Sequence, residues 1–187
     1  GYWARMIFIR KIGGGVEISR QEWIWVLIWS TVILLVLSLP YVYGAWLSTP
    51  DNRFGGFVIG VEDGNAYLAK MRMGAMGDWK FHLFYTSEPH DRVYLFLFHL
   101  ILGKLARISD LSLVLVYHAA RIVFGFGFLL TLYYFAAFFN PVIAVRRLAF
   151  GLVTWGSGLG WLAVLLGWVD RLGLPLDFYL PEAFAFH

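Results

Sequence analysis

At 187 residues the chain has the length of one soluble domain, yet 60% of it is hydrophobic, 19% aromatic and only 14% charged, a balance foreign to domains that fold in water. The formal net charge of +3 does not define a nucleic-acid surface; in so apolar a chain a small positive excess belongs with topology and anionic lipid. The lack of cysteine excludes disulfides, thiolate metal sites, iron–sulfur clusters and cysteine nucleophiles.

The chain opens Gly1-Tyr2-Trp3 without methionine and stops at Phe186-His187 inside an apolar stretch, so the expectation is a piece of a longer protein. Residues 1–22 carry Arg5, Arg10, Lys11 and Arg20, which by the positive-inside rule makes this segment cytoplasmic. The glycines at 13 to 15 read as a flexible joint. Residues 23–46 form the first predicted span: about 36 Å of helix against about 30 Å of hydrocarbon. Trp23, Trp25 and Trp29 at one end and Tyr41, Tyr43 and Trp46 at the other suit the two water interfaces, and Pro40 confines any kink to the exit. The run is too long, and starts too far along the chain, for a cleavable signal peptide.

Residues 47–110 then form a long external loop. Its part from Leu47 to Arg92 holds Asp51, Glu62, Asp63, Asp78, Glu88 and Asp91, half of the twelve acids. A helix is predicted over 63–76, capped by Asp63 and lying along the membrane surface with Leu68, Met71 and Ala75 on one face; Gly74, Gly77 and Pro89 punctuate the remainder. From Val93 the apolar run lasts only about eleven residues before Lys104 and Arg107, short of the ~20 needed to cross, so 93–108 is predicted as an interfacial helix. Residues 111–139 are the second span, stopped by Asn140-Pro141. Arg146 and Arg147 precede a third, 147–169, and 170–187 is an external tail. Counting charge leaves two topologies nearly tied; segment length decides for three crossings. The predicted class is an all-α integral membrane protein of the cell (plasma) membrane, with about three transmembrane helices, juxtamembrane helices in a long external loop, and a cytoplasmic N-terminus.

Glu62-Asp63 is the strongest chemical candidate. Two adjacent carboxylates at a membrane face can bind a divalent cation or deprotonate a hydroxyl; a solvated helix start uses the same residues, because acids are favoured at helix N-termini. Glu88-Pro89-His90-Asp91-Arg92 gathers metal-ligand types and a phosphate-binding cation, but its spacing matches no specific metal motif. Arg121 lies about 15 Å into its span, where an arginine either serves a site or snorkels to the headgroups. His118, three residues earlier on the same face, joins it as a candidate pair for a lipid phosphate. His99 and His118 are also the histidines a pigment or haem would need, although such residues more often pack by hydrogen bonding. Gly156 and Gly160 have the spacing for close helix packing, not for a phosphate loop.

This order of a span, an external loop with Glu62-Asp63 and then Tyr67, a surface helix, Pro89-His90, an amphipathic segment and Arg121 in the next span resembles the N-terminal part of the GT-C membrane glycosyltransferases. That group includes the protein O-mannosyltransferases and the lipid A aminoarabinose transferases. The resemblance covers about residues 23–139; here the acids stand as Glu-Asp where the family has Asp-Glu. It implies transfer of a sugar from a polyprenyl-phosphate donor at the external face. Glu62 or Asp63 would activate the acceptor hydroxyl or hold a metal, and Arg121 and His90 would face the donor phosphate. The implied partners are membrane lipid and the polyprenyl-phosphate sugar. The competing reading is a non-catalytic accessory subunit whose apolar spans pack against other membrane subunits, with a pigment- or haem-binding subunit behind it.

Overall fold

The computed structural model describes residues 17–58, 60–83, 86–155 and 167–168. Among these the architecture is all helical: α1 (Arg20–Trp46), α2 (Val61–Met76), α3 (Leu97–Ser109), α4 (Leu113–Phe139) and α5 (Ile143–Trp155). α1 and α4 each have 27 residues, with mean hydropathies of 2.1 and 2.0, and only 17% of the apolar stretch of each is buried within the chain. Both are long and apolar enough to cross a membrane.

Of the expected third crossing, 147–169, residues 156–166 and 169 lie outside the described residues, and residues 147–155 belong to α5. α5 begins at Ile143, four residues earlier than expected, because the Asn140 side-chain oxygen accepts the Val142 N–H at 2.8 Å and organises the turn before it. Its 13 described residues span about 20 Å. Residues 156–166, with Gly156 and Gly160, lie outside the described residues, as do the N-terminal cations Arg5, Arg10 and Lys11 and the tail 170–187.

The chain divides into two compact units, one of residues 31–127 and one of residues 1–30 with 128–187; α1 and α4 contribute to both. In the first unit, α2 and α3 pack backbone against backbone. A Cβ on Gly74 would fall on the Leu100 carbonyl oxygen, and one on Gly103 on the Met71 carbonyl oxygen. Gly74 is thus not the break expected from the sequence: it lies inside α2, where only a hydrogen side chain lets the helices touch. Around this contact Met71, Leu102, Ala106 and Val116 form one buried cluster and Met73, Phe81 and Leu100 another.

The helix ends explain the shifted boundaries. α2 closes at Gly77 (φ 110°), whose N–H reaches the Gly74 carbonyl at 3.0 Å while the Asp78 N–H reaches that of Met73 at 3.1 Å, the paired bonds of a Schellman motif. Lys104 and Arg107, read in the sequence as topology markers, donate to the Gly77 and Ala75 carbonyls at 2.8 and 3.3 Å and so cap the negative end of α2. α3 starts at Leu97 rather than Val93. Val93 is held in an antiparallel bridge to Phe81, and Phe96 turns the chain in the left-handed region (φ 54°).

Candidate functional site

Glu62 and Asp63 occupy the first turn of α2 and are exposed. The expected cap by Asp63 is not found: the helix starts earlier, at Val61, with Gly60 in the left-handed region (φ 63°) as the cap and no side-chain capping bond. Neither acid makes a hydrogen bond or ion pair among the described residues. Nor do three His, Asp or Glu side chains there come together as a metal-ligating group. What the acids have is solvent access and the favourable field of a helix N-terminus.

His118 and Arg121 are brought together on one aromatic face. The Arg121 guanidinium lies 4.3 Å over the Tyr41 ring, and the His118 ring is 4.6 Å from the same ring. Arg121 donates through Nη2 to Ser38 Oγ at 3.1 Å, and the Ser38 hydroxyl donates in turn to the Leu34 carbonyl at 2.7 Å. His118 donates through Nε2 to the Gly56 carbonyl at 2.8 Å. Gly56 reaches that position with φ 96° and pressed against Val114, where a side chain would collide. His118 Nδ1 and Arg121 Nε are buried without a partner among the described residues, which leaves this cluster one acceptor and one donor unspent there.

His90 and Arg92 do a different job. His90 Nδ1–H donates to the Glu88 carbonyl at 3.0 Å and Nε2 accepts the Leu83 N–H at 3.1 Å, so both ring nitrogens of this neutral tautomer are committed. The ring stacks on His82 at 4.5 Å. Arg92 pairs with Asp78 at 2.8 Å. With the Phe81–Val93 bridge, these bonds fasten a strap beside α2. No hydrogen bond, ion pair or ring contact links His90 or Arg92 to His118 or Arg121 among the described residues, so the four candidate phosphate-binding residues of the sequence reading do not form one set.

An aromatic column ties the helices of this unit together. Tyr67 of α2 stacks on His99 of α3 at 5.0 Å and on Tyr117 of α4 at 6.1 Å, and Phe57 meets Tyr117 edge-on at 5.3 Å. Burial pushes the His99 imidazole below its ordinary pKa, and the nearby Lys70 charge pushes the same way. A cavity of about 160 Å³ lies against α2, lined by Ala66, Ala69, Lys70, Met73, Phe81, Leu83 and Phe96. An open apolar groove runs along Leu39, Pro40, Val42, Tyr43 and Trp46 of α1. Neither is lined by Glu62, Asp63 or Arg121.

In the other unit the structure reveals a polar centre that sequence reasoning passed over. Glu22 and Arg146 form a buried ion pair at 3.0 Å, with side chains 3% and 8% exposed. Tyr133, fully buried, donates its hydroxyl to the same Glu22 oxygen at 2.8 Å. Arg146 also donates to the carbonyls of Asn140 (2.6 Å) and Glu17 (3.1 Å). Trp25 and Phe150 wall the centre against Tyr133 at 6.2 and 5.6 Å. One signal was present: Ser19 and Glu22 have capping-box spacing, and their reciprocal bonds, 3.2 Å from the Glu22 N–H to Ser19 Oγ and 3.0 Å from the Ser19 N–H to Glu22, start α1.

No family model matches the sequence, and neither a curated protein nor a solved structure does.

Proposed function

We propose that the chain is an integral membrane protein of the glycosyltransferase type, which moves a sugar from a polyprenyl-phosphate donor to an acceptor hydroxyl at the external face. The observation that carries the reading is the arrangement of residues 31–127. Two closely packed short helices, α2 and α3, lie in the chain between two long apolar ones, with a solvent-facing acid pair opening α2 and a His118–Arg121 cluster in the first half of α4. The unburied faces of α1 and α4 support insertion, because apolar patches of this extent are not kept in water. The outer face of α3, with Phe98, Ile101, Leu105 and Ile108 exposed, supports a position at the lipid interface. In this reading α5 continues as the third crossing, and residues 1–22 face the cytoplasm of a plasma-membrane protein.

In the reaction Glu62 or Asp63 takes the proton of the acceptor hydroxyl as its oxygen attacks the anomeric carbon. The bond from that carbon to the phosphate oxygen breaks, the polyprenyl phosphate leaves as the anion, and cationic side chains stabilise it; the anomeric configuration inverts. Two exposed carboxylates without a third His, Asp or Glu donor among the described residues make a poor cage for a divalent cation, which favours the proton-acceptor role.

The test is sugar transfer by the full chain in proteoliposomes supplied with a polyprenyl-phosphate sugar. Replacing both Glu62 and Asp63 by Ala should lower transfer by about 10²-fold or more with membrane retention unchanged; undiminished transfer in that variant overturns the assignment. A wild-type chain that transfers nothing yet co-purifies in fixed stoichiometry with a larger membrane complex is instead an accessory subunit.

A further inference from the structure

Two adjacent arginines of α5 meet very different surroundings. Arg146 is neutralised by Glu22, whose Oε1 accepts from it and from Tyr133 while Oε2 accepts the Ser19 N–H. Both carboxylate oxygens are thus engaged. Arg147 is half-buried, with its guanidinium 4.9 Å over the Trp25 ring, and it forms no hydrogen bond or ion pair among the described residues. Its Nε is buried without a partner. Glu17, near the start of α1, is exposed, and its side chain pairs with neither arginine. One positive charge is therefore left uncompensated against an apolar surface, where it is unfavourable unless an anion comes to it.

The neighbours of Arg147 define that anion. Arg147, Gly151 and Trp155 follow at four-residue intervals, so they form one stripe about 12 Å long on α5. Trp25 and Trp29, one turn apart on α1, meet its two ends: Arg147 lies over Trp25, and Trp155 stands edge-on to Trp29 at 6.4 Å. The two α1 indoles stack on each other at 5.6 Å. Midway, a Cβ on Gly151 would meet nothing within 4 Å, which leaves an open slot bordered by indoles with a cation at one end. The Trp29 indole N–H is a second buried donor without a partner. Beside the slot Leu148 and Leu152 are exposed, a surface suited to hydrocarbon. Trp25 lies about 8 Å from the start of α1, the depth at which interfacial tryptophans sit among lipid headgroups.

We infer that the slot binds an anionic phospholipid, with its phosphodiester on Arg147 and one acyl chain laid over Gly151 between Trp25, Trp29 and Trp155. A planar guanidinium holds two phosphate oxygens through parallel N–H bonds, and the indole faces give the chain flat apolar contact. A zwitterionic headgroup brings its own cation and leaves the charge of the site uncompensated; a soluble anion leaves the slot empty. The site uses none of the residues assigned to sugar transfer. It rests on the membrane insertion in the proposed function and not on the reaction.

The experiment uses the full chain, delipidated in detergent, and reads binding by native mass spectrometry. The probe is dioleoyl phosphatidylglycerol; dioleoyl phosphatidylcholine, oleate and glycerol phosphate are the comparisons. The probe should bind at least about ten-fold more tightly than any of the three, and failure of glycerol phosphate to displace it assigns the site to a lipid rather than to a soluble phosphate. Arg147→Met should weaken the probe by about ten-fold, to the level of phosphatidylcholine, while Arg20→Met, which removes an exposed cation from the start of α1, should leave it unchanged. Gly151→Leu, which fills the slot, should weaken both lipids; Gly151→Val serves if that variant does not fold. Equal affinity for the two lipids, oleate or glycerol phosphate bound as tightly as the probe, a loss from Arg20→Met as large as that from Arg147→Met, or binding indifferent to the filled slot overturns the proposal. So does a co-purifying membrane subunit that excludes the lipid, since a protein acid then occupies Arg147. A chain released from membranes by alkaline carbonate fails the membrane reading and this site together; an inserted chain without lipid selectivity fails the site alone.

Discussion

Single residues decide more here than the low charge content suggests. Arg146 was counted in the sequence as a surface charge reporting topology, yet it is buried and bonded to Glu22 and to two carbonyls. Removing one member of such a pair leaves the other charge buried and uncompensated. Arg146→Met should therefore destabilise the protein by about 3–5 kcal/mol, and Glu22→Met/Arg146→Met together should recover much of that loss, as read from denaturation midpoints in detergent. If both single variants and the double are equally stable, the ion pair carries no such penalty. His99 gives a prediction in pH. Its folded pKa lies below the ordinary value of 6.5, so above that pH both folded and unfolded chains leave it neutral and it costs nothing. As pH falls below 6.5 the unfolded chain takes a proton that the folded one resists, and stability is lost until the folded pKa is passed. Comparing melting temperatures at pH 7.5 and about 5, His99→Phe should lose less on acidification than the native protein; an identical loss would reject this account.

At the scale of elements, the α2–α3 contact makes glycine irreplaceable at two helical positions. Alanine normally stabilises a helix interior by about 1 kcal/mol over glycine. At Gly74 and Gly103 that gain should be outweighed, since the new methyl would meet backbone carbonyls that cannot move aside, and overpacking typically costs about 1–3 kcal/mol. Gly74→Ala and Gly103→Ala should each lower the melting temperature, whereas Gly151→Ala in α5, where nothing lies within 4 Å of the added carbon, should raise it or leave it unchanged. The reverse order would show that the backbone contact does not limit packing. The existence of α1 and α4 was legible from their long apolar runs, and the short helices from their spacing. Their ends were not: Gly60, Phe96 and Asp110 adopt positive φ, a conformation set by the chain on either side and, for Phe96, one its residue type argues against.

For the whole molecule the open quantity is orientation, and the chain offers its own tool because it contains no cysteine. Single cysteines at Glu17 and Asp51 flank α1. In intact cells a membrane-impermeant maleimide should label the Asp51→Cys variant, and should label Glu17→Cys only after permeabilisation; the opposite pattern would invert the topology, and equal labelling of both would argue against a crossing by α1. The sequence alone determined that two helices are long and apolar enough to cross a membrane, and it located the acid pair at the start of a helix. Only the tertiary structure decided which polar residues meet. Glu22, Tyr133 and Arg146 are separated by more than a hundred residues between first and last, His90 is used up by backbone groups of its own strap, and the cavity beside Lys70 exists because distant Phe81, Leu83 and Phe96 close over two alanines. Local sequence encodes periodicity and helix caps, but partnership across the fold depends on how helices approach, which two glycines and a few left-handed turns control.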